Sequence, residues 1–312
     1  MLVKTVEHIT GVVPVNALNG FNTFRPYLEK AERWITPILS KGLYDELSNE
    51  TVEPEGPSEA LTLARICVVN YAMWVGFDML NVTHDDSGFM RASKDQSLYR
   101  YQEENLRAAF KDAAFNGVDD LLEHLQTNIE TYPSFENSDF YRASKNSIFP
   151  ATADFNKVYN IGGSRLVFLQ LAGFFDRVVD FELKPVMTAS IYDALMAELP
   201  EEDQDPDLMA LLPLVRKVMA FYSVAYGLDE VGMRITEKGL FFENEVASSN
   251  SHIQTQRADV EVLRKKALLN AERYKSMLLE YMQQHPDKYD ISETAKSNPF
   301  RRDNAGKKTV WF

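Results

Sequence analysis

The 312-residue chain has a single cysteine, Cys67, which excludes an intramolecular disulfide and any cysteine-rich metal site. Lying within an apolar helical run, it reads as a small core residue. Histidine is nearly as scarce: His8, His84, His124, His252 and His285 are all there is. No two of them share metal-ligand spacing, and none stands in a recognisable triad or zinc pattern, so neither a metal nor another cofactor is expected. Residues 1–10 lack a basic segment followed by an apolar one, so no secretory signal is read there. The best membrane candidate, residues 61–80, carries Arg65, Asn70 and Asp78, which suits a buried helix better than a spanning one. Positive charge is in deficit, with 33 Lys and Arg against 46 Asp and Glu, a net of -13. That argues against a surface built to grip nucleic acid. It leaves open a surface that DNA passes without sticking, and on composition alone the acidity serves solubility. The expectation is a soluble chain, made in the cytoplasm, with no membrane partner.

What is present is repetition. Pro37-Ile-Leu-Ser-Lys-Gly-Leu-Tyr-Asp-Glu-Leu47 aligns without gaps on Pro185-Val-Met-Thr-Ala-Ser-Ile-Tyr-Asp-Ala-Leu195, an offset of 148. At an offset of 151, Arg65, Tyr71, Gly76, Asp78 and Gly88 fall on Arg216, Tyr222, Gly227, Asp229 and Gly239. At 157, Glu104, Leu106, Arg107, Leu121 and Glu123 meet Glu261, Leu263, Arg264, Leu278 and Glu280. The offset grows where the chain reads as loop, which is how a duplicated domain diverges. The period far exceeds the roughly 20–50 residues of solenoid repeats, so each copy is a domain rather than a stacking unit. The boundaries read as residues 1–150, 151–285, and a polar extended arm over 286–312.

The fold class expected is mostly α, two tandem copies of a three-to-four-helix module, each with a short β-hairpin. Phe24, Tyr27, Leu28, Ala31, Ile35 and Ile38 have helical spacing. Pro37 and Pro185 should kink or stop that first helix. Ser58 and Asp205-Pro206 read as caps of a second helix. That helix has Ala64, Val68, Tyr71, Val75 and Met79 on one face, widened by Cys67 and Trp74, so it should be central. Met233 to Phe242, around Gly239, suggests two short strands about a turn. A long, more polar helix closes each copy, with Leu106, Phe110, Ala113 and Leu121 in the first. Leu263, Ala267, Tyr274, Leu278 and Met282 form its counterpart.

Few residues suggest chemistry. His84-Asp85-Asp86-Ser87-Gly88 is the most enzyme-like string. Its counterpart, Ile235-Thr-Glu-Lys-Gly239, keeps only the glycine among His84, Asp85 and Gly88, as a turn needing positive φ would. Gly162-Gly163-Ser164-Arg165 lacks phosphate-loop spacing and reads as a loop leading into a helix. Arg65/Arg216 and Asp78/Asp229, charges repeated inside apolar helices, read as paired residues that hold the packing. Tyr71/Tyr222 and Gly88/Gly239 complete the structural pairs. In the arm, Lys307, Lys308, Trp311 and Phe312 suit either docking on a neighbour or folding back on the same chain.

The repeated order resembles the head–tail connector (adaptor) proteins of tailed bacteriophages, in the tandem form of Bacteroides-type and crAss-like phages. It consists of a first helix ending in Pro-[apolar]-[apolar]-[Ser/Thr]-x-x-[Leu/Ile]-Tyr, an apolar helix carrying Arg and Tyr, an [apolar]-x-[Ile/Val/Thr]-x-x-x-Gly stretch and a long polar helix. The match covers residues 21–125 and 168–282, with Ser190 in place of Gly42. The resemblance implies a non-enzymatic virion part, a homo-oligomeric ring, commonly of twelve subunits, beneath the portal protein. Such a ring extends the channel for duplex DNA and gives the tail a docking surface. A helical adaptor or scaffold that binds one protein partner without forming a ring is the first alternative. An enzyme with a helical pocket is the second.

Overall fold

A computed structural model describes residues 1–14, 20–50, 56–80, 82–85, 88–91, 99–230, 233–236, 239–242 and 253–291, with backbone alone for the strands, Arg100 and residues 253–259. The described chain is mostly helical and divides into two units. The first holds Met1–Lys145 with Gly163–Leu166, and the second holds Asn146–Gly162 and the chain from Val167. The division falls ahead of Pro150, because Ile148 and Phe149 are buried in the second core.

In the first unit, α1 (Val6–Thr10) follows the buried pair Leu2 and Val3. Helix α2 (Phe21–Leu39) turns Phe24, Leu28, Ala31, Ile35 and Leu39 inward, three to four residues apart. Helix α3 (Lys41–Asn49) follows after one residue, and α4 (Glu59–Leu80) packs against both α2 and α5. Strands β1 (Val82–Asp85) and β2 (Gly88–Arg91) pair antiparallel, Asp85 opposite Gly88. Helix α5 (Arg100–Thr127) buries Ala114, Val118, Leu121 and Leu125. Leu106, read as the start of that stripe, is 39% exposed, and Met79 at the end of α4 is 53% exposed. Both lie at helix ends, beyond the reach of the core. Helices α6 (Pro133–Glu136) and α7 (Asp139–Lys145) fold back, seating Phe135 in the core.

The second unit repeats the order. Helix α8 (Thr152–Val158) follows Ile148 and Phe149, then come α9 (Arg165–Ala172), whose first two residues belong to the first unit, and α10 (Phe175–Val178). A π-helical turn over Val179–Leu183 leads into α11 (Lys184–Glu198). That turn absorbs one extra residue. Upstream, buried Phe24 and Ala31 match buried Leu171 and Val178 at an offset of 147. Downstream, Ile35 and Leu39 match Leu183 and Met187 at 148, so the insertion sits in the π turn. Helices α12 (Pro206–Met209) and α13 (Leu212–Glu230) follow, then β3 (Met233–Thr236) paired with β4 (Gly239–Phe242), then α14 (Ile253–Gln284).

Residues 59–80 and 206–230 are long and apolar enough to cross a membrane, yet 61% and 56% of their most apolar windows are buried as core helices. Past α14 the chain turns back: Tyr289 is buried and its hydroxyl donates to the Asp207 carbonyl at 2.5 Å. Residues 286–291, expected as the start of an extended arm, therefore belong to the second core. Lys307, Lys308, Trp311 and Phe312 lie outside the described residues.

Candidate functional site

Each module is shaped by a helix break at one repeated residue. Ser40 has φ 73° and ψ 157°, and Thr188, 148 residues on, has φ 65° and ψ 154°. This region is nearly restricted to glycine and costs a side-chain-bearing residue of order 1–3 kcal/mol. The hydroxyl explains why glycine is not used. Ser40 Oγ accepts from the Leu43 N–H at 3.3 Å, and Thr188 Oγ1 from the Ile191 N–H at 3.4 Å, so each caps the helix it starts. The Pro-x-x-[Ser/Thr] pattern thus encodes a bend.

The repeated arginine holds the opening segment of its module. Arg65 Nε donates to the Leu2 carbonyl at 3.0 Å, and Arg216 Nε to the Ile148 carbonyl at 2.9 Å. Burial pulls the Arg65 guanidinium below its ordinary pKa, opposed by Glu50. In the first module buried Glu32 adds a second clamp, accepting from the Leu2 N–H at 2.7 Å, the Val3 N–H at 3.4 Å and the Tyr44 hydroxyl at 2.9 Å.

Two further carboxylate pairs recur. Glu50 accepts from the Ser58 N–H at 2.6 Å and Glu198 from the Asp205 N–H at 2.9 Å, each steadying the cap of the following helix. Ser58 Oγ accepts from Leu61 N–H at 3.2 Å and Asp205 from Asp207 N–H at 2.8 Å, as caps do. Asp78 pairs with Arg107 at 3.3 Å and Asp229 with Arg264 at 3.9 Å. Both aspartates are mostly exposed, since they lie at the solvent end of the central helix. Arg65 and Asp78 therefore stand at opposite ends of α4, with Tyr71 between, and form no common site; α13 repeats this arrangement.

Around the repeated tyrosine the modules differ. Tyr71 stacks on Trp34, with centroids 4.2 Å apart and planes at 15°. Trp74 and Phe115 meet it and one another edge-on or tilted. Glu182 stands where the first module has Trp34, and Glu272 where it has Phe115, at the same offsets of 148 and 157. The Tyr222 hydroxyl donates to Glu272 at 2.6 Å, and Tyr226 to Glu182 at 2.7 Å. Lys275 Nζ reaches the second Glu182 oxygen, also at 2.7 Å. Arg177 lies over the Tyr226 ring at 4.3 Å and pairs with Glu230. Burial, then the glutamates, push both tyrosines above their ordinary pKa, so they stay neutral donors. Each of these donors has an acceptor, and the network ties the π turn and α13 to α14.

The glycine shared by α4 and α13 has a steric cause in the first module. A Cβ on Gly76 would lie 2.7 Å from Tyr27 Cγ, so only glycine admits that ring. Gly88 and Gly239 open β2 and β4, while the two residues before each, where the turn was read, lie outside the described residues. In the glycine-rich loop, Gly162 and Gly163 take positive φ, the Arg165 N–H donates to Asn116 Oδ1 at 3.2 Å, and the Arg165 guanidinium pairs with Asp119. Burial pushes the Cys67 thiol up to about 12. Among the described residues no three His, Cys, Asp or Glu side chains converge to hold a metal.

Fold and residue devices together define a mostly helical protein built from one module used twice. The chain belongs to DUF6712, a family of unknown function, whose model matches it over residues 35–145 and 183–302. The two matches start 148 and end 157 residues apart, the same offsets at which the modules align. No curated protein and no solved structure matches the chain.

Proposed function

We propose that this chain is a non-enzymatic, ring-forming structural protein of the virion, a head–tail connector lying between portal and tail. The observation that carries the reading is the double use of one shape-holding framework. The hinge at Ser40 and Thr188 recurs with the Arg65 and Arg216 anchors and the Asp78–Arg107 and Asp229–Arg264 pairs. These three kept devices hold a helix end, a chain segment and an interhelix contact, as a load-sharing scaffold requires. The paired strands complete the connector-like order in each copy. A net charge of -13 suits a channel wall that repels duplex phosphates. On this reading the partners are further copies of the chain, the portal protein and the next tail component.

Electron microscopy of the purified chain, alone and mixed with portal rings, tests this. Closed rings with an opening that passes duplex DNA, seated on the portal, are expected. A chain that stays monomeric and leaves portal rings bare would overturn it. A helical scaffold binding one partner without a ring is the second reading, favoured by the exposed apolar residues Val262, Leu269 and Met277 on α14. It predicts a complex of fixed small size and no rings.

A further inference from the structure

The first module is closed by the chain beyond Tyr132. There α6 sets Ser134 against the hinge: Ser40 Oγ donates to the Ser134 carbonyl at 3.1 Å, and Ser134 Oγ donates to Glu46 on α3. A Cβ on Gly42 would lie 3.1 Å from Ser134 Cβ. Phe135 enters the core with Tyr141 beside it, centroids 5.2 Å apart, and Leu43 in the same core is 1% exposed.

The second module reaches the same point and is less covered there. Tyr289 stands 157 residues after Tyr132, and its ring lies 6.1 Å from Tyr281 as that of Tyr132 lies 5.8 Å from His124, at the same offset. The described residues stop two positions later, at Ile291. Ile191, at the station of Leu43, is only partly buried. Thr188, at the station of Ser40, accepts from Ile191 but has no acceptor for its own hydroxyl proton among the described residues. Ser190, in place of Gly42, is exposed. The side of α11 that corresponds to the side of α3 under α6 is therefore partly open. The family match gives the missing cover a length, since it ends at Lys145 and at Arg302, each thirteen residues past its tyrosine. In that stretch the first copy has Phe135, Phe140 and Tyr141, while the second has one large apolar residue beyond Ile291, Phe300.

We infer that residues 292–302 dock on that open side of α11 in their own chain, with Phe300 as the apolar anchor, and close the second module as α6 and α7 close the first. The place where the described chain stops selects this occupant. Tyr289 is buried with its hydroxyl on the Asp207 carbonyl, and Lys288 pairs with Asp207, which fixes the chain before Ile291 beside α12, itself packed on α11. From Ile291 an extended chain carries Phe300 up to about 30 Å. The stretch of α11 from Thr188 to Glu198 is about 15 Å long, so all of it is within reach. A segment tethered so closely acts at an effective concentration of order millimolar, which a second copy in dilute solution does not match. Ser190 brings a Cβ where Gly42 has none, so the cover stands further off. The longer run to the anchor suits this: eleven residues from Tyr289 to Phe300, against eight from Tyr132 to Phe140. The inference does not depend on the ring reading. It reduces the arm open to a partner to residues 303–312, with Lys307, Lys308, Trp311 and Phe312.

The test is thiol labelling of full-length Ser190→Cys chains, with circular dichroism confirming the fold of each variant and the buried Cys67 as the slow internal control. Adding Phe300→Asp should quicken labelling at position 190 about tenfold or more, while Phe300→Leu keeps it slow and Trp311→Asp leaves it unchanged. The protection should be the same at every protein concentration. Hydrogen exchange over residues 188–195 in the milder Phe300→Ala chain reads the same cover without an added charge, and should quicken. Labelling and exchange that ignore every change at Phe300 would overturn the inference. Release by Trp311→Asp would overturn the choice of segment, and protection that grows with concentration would overturn the assignment to the same chain. Each of these outcomes leaves the ring reading standing.

Discussion

Tyr71 and Tyr222 hold the same station in their modules, yet Tyr71 is stacked on Trp34 at 4.2 Å while the Tyr222 hydroxyl donates to Glu272 at 2.6 Å. After duplication the two copies kept the tyrosine and changed what surrounds it. One module closes this contact by ring stacking, the other by carboxylates that need donors. The consequence is two units held by different forces at equivalent places, which should respond differently to the same class of substitution.

Glu182→Leu should destabilise the second unit by about 1–3 kcal/mol, because it leaves the Lys275 ammonium and the Tyr226 hydroxyl without their acceptor. Trp34→Ala should destabilise the first unit by about 2–3 kcal/mol, below the full cost for a buried tryptophan because Trp34 is half-buried. Urea unfolding of chains that also carry Trp311→Phe, followed by circular dichroism and by tryptophan fluorescence, separates the two, since Trp34 and Trp74 then report the first unit alone. If Glu182→Leu moves the fluorescence transition as far as the dichroism transition, the units are not independently held.

At the hinge, glycine and alanine should act in opposite directions. Ser40→Ala keeps the positive φ and loses the cap, costing about 1 kcal/mol. Ser40→Gly loses the same cap but relieves backbone strain of about 1–3 kcal/mol, so it should be neutral or stabilising. Thr188 should behave alike, with a larger gain from glycine because a β-branched residue tolerates φ 65° less well. Thermal melts of the four variants decide it. Equal losses for glycine and alanine would show that the hinge carries no strain.

Much of the fold was legible because helical spacing and identity at a fixed offset are both local signals. Pro37, Ser40, Arg65, Tyr71 and Asp78 could be matched to their counterparts before any contact was known. The sequence also pointed to Ser58 and Asp205 as caps. The tyrosine surroundings were hidden, because Trp34 against Glu182 and Phe115 against Glu272 are unlike pairs and leave no identity to find. The insertion in the π turn was hidden too, since one residue shifts the offset only from 147 to 148. Arg65 was expected to be paired, but its partner is a backbone carbonyl, which carries no side-chain letter. The opening segments, Leu2-Val3 and Ile148-Phe149, are too short and too altered to align by eye. The contact with a repeated arginine is what makes them equivalent.

Alkaline pH should unfold the chain from the tyrosines. The folded state holds Tyr222 and Tyr226 above their ordinary value of 10.0, and Tyr192 and Tyr289 at about 12, with burial the leading cause in each. Below pH 10 both states keep these protons, so their contribution to stability is constant. Above it the unfolded chain releases protons that the folded chain retains, and stability falls as pH rises. Tyr222→Phe should flatten that fall between pH 10 and 12, measured by urea unfolding at fixed pH steps. A wild-type slope unchanged by the substitution would place the alkaline sensitivity elsewhere.

The last prediction concerns what the arginines hold. Arg216→Met strips the buried Ile148 carbonyl of its donor, a loss of about 1–3 kcal/mol, and Arg65→Met does the same to Leu2. The local consequences should differ. Glu32 still grips the Leu2 N–H in the first module, whereas the corresponding position, at the start of the π turn, is Val179, whose side chain can accept no hydrogen bond. Hydrogen exchange should therefore quicken more over residues 148–158 in Arg216→Met than over residues 2–10 in Arg65→Met. Adding Glu32→Val to Arg65→Met, which removes that acceptor, should bring the first segment to the same exchange as the second. Asp78→Asn, which breaks an exposed pair, should leave both segments as protected as in the parent. If Asp78→Asn loosens them as much as the arginine variants do, the protection comes from the module as a whole and the anchors are incidental.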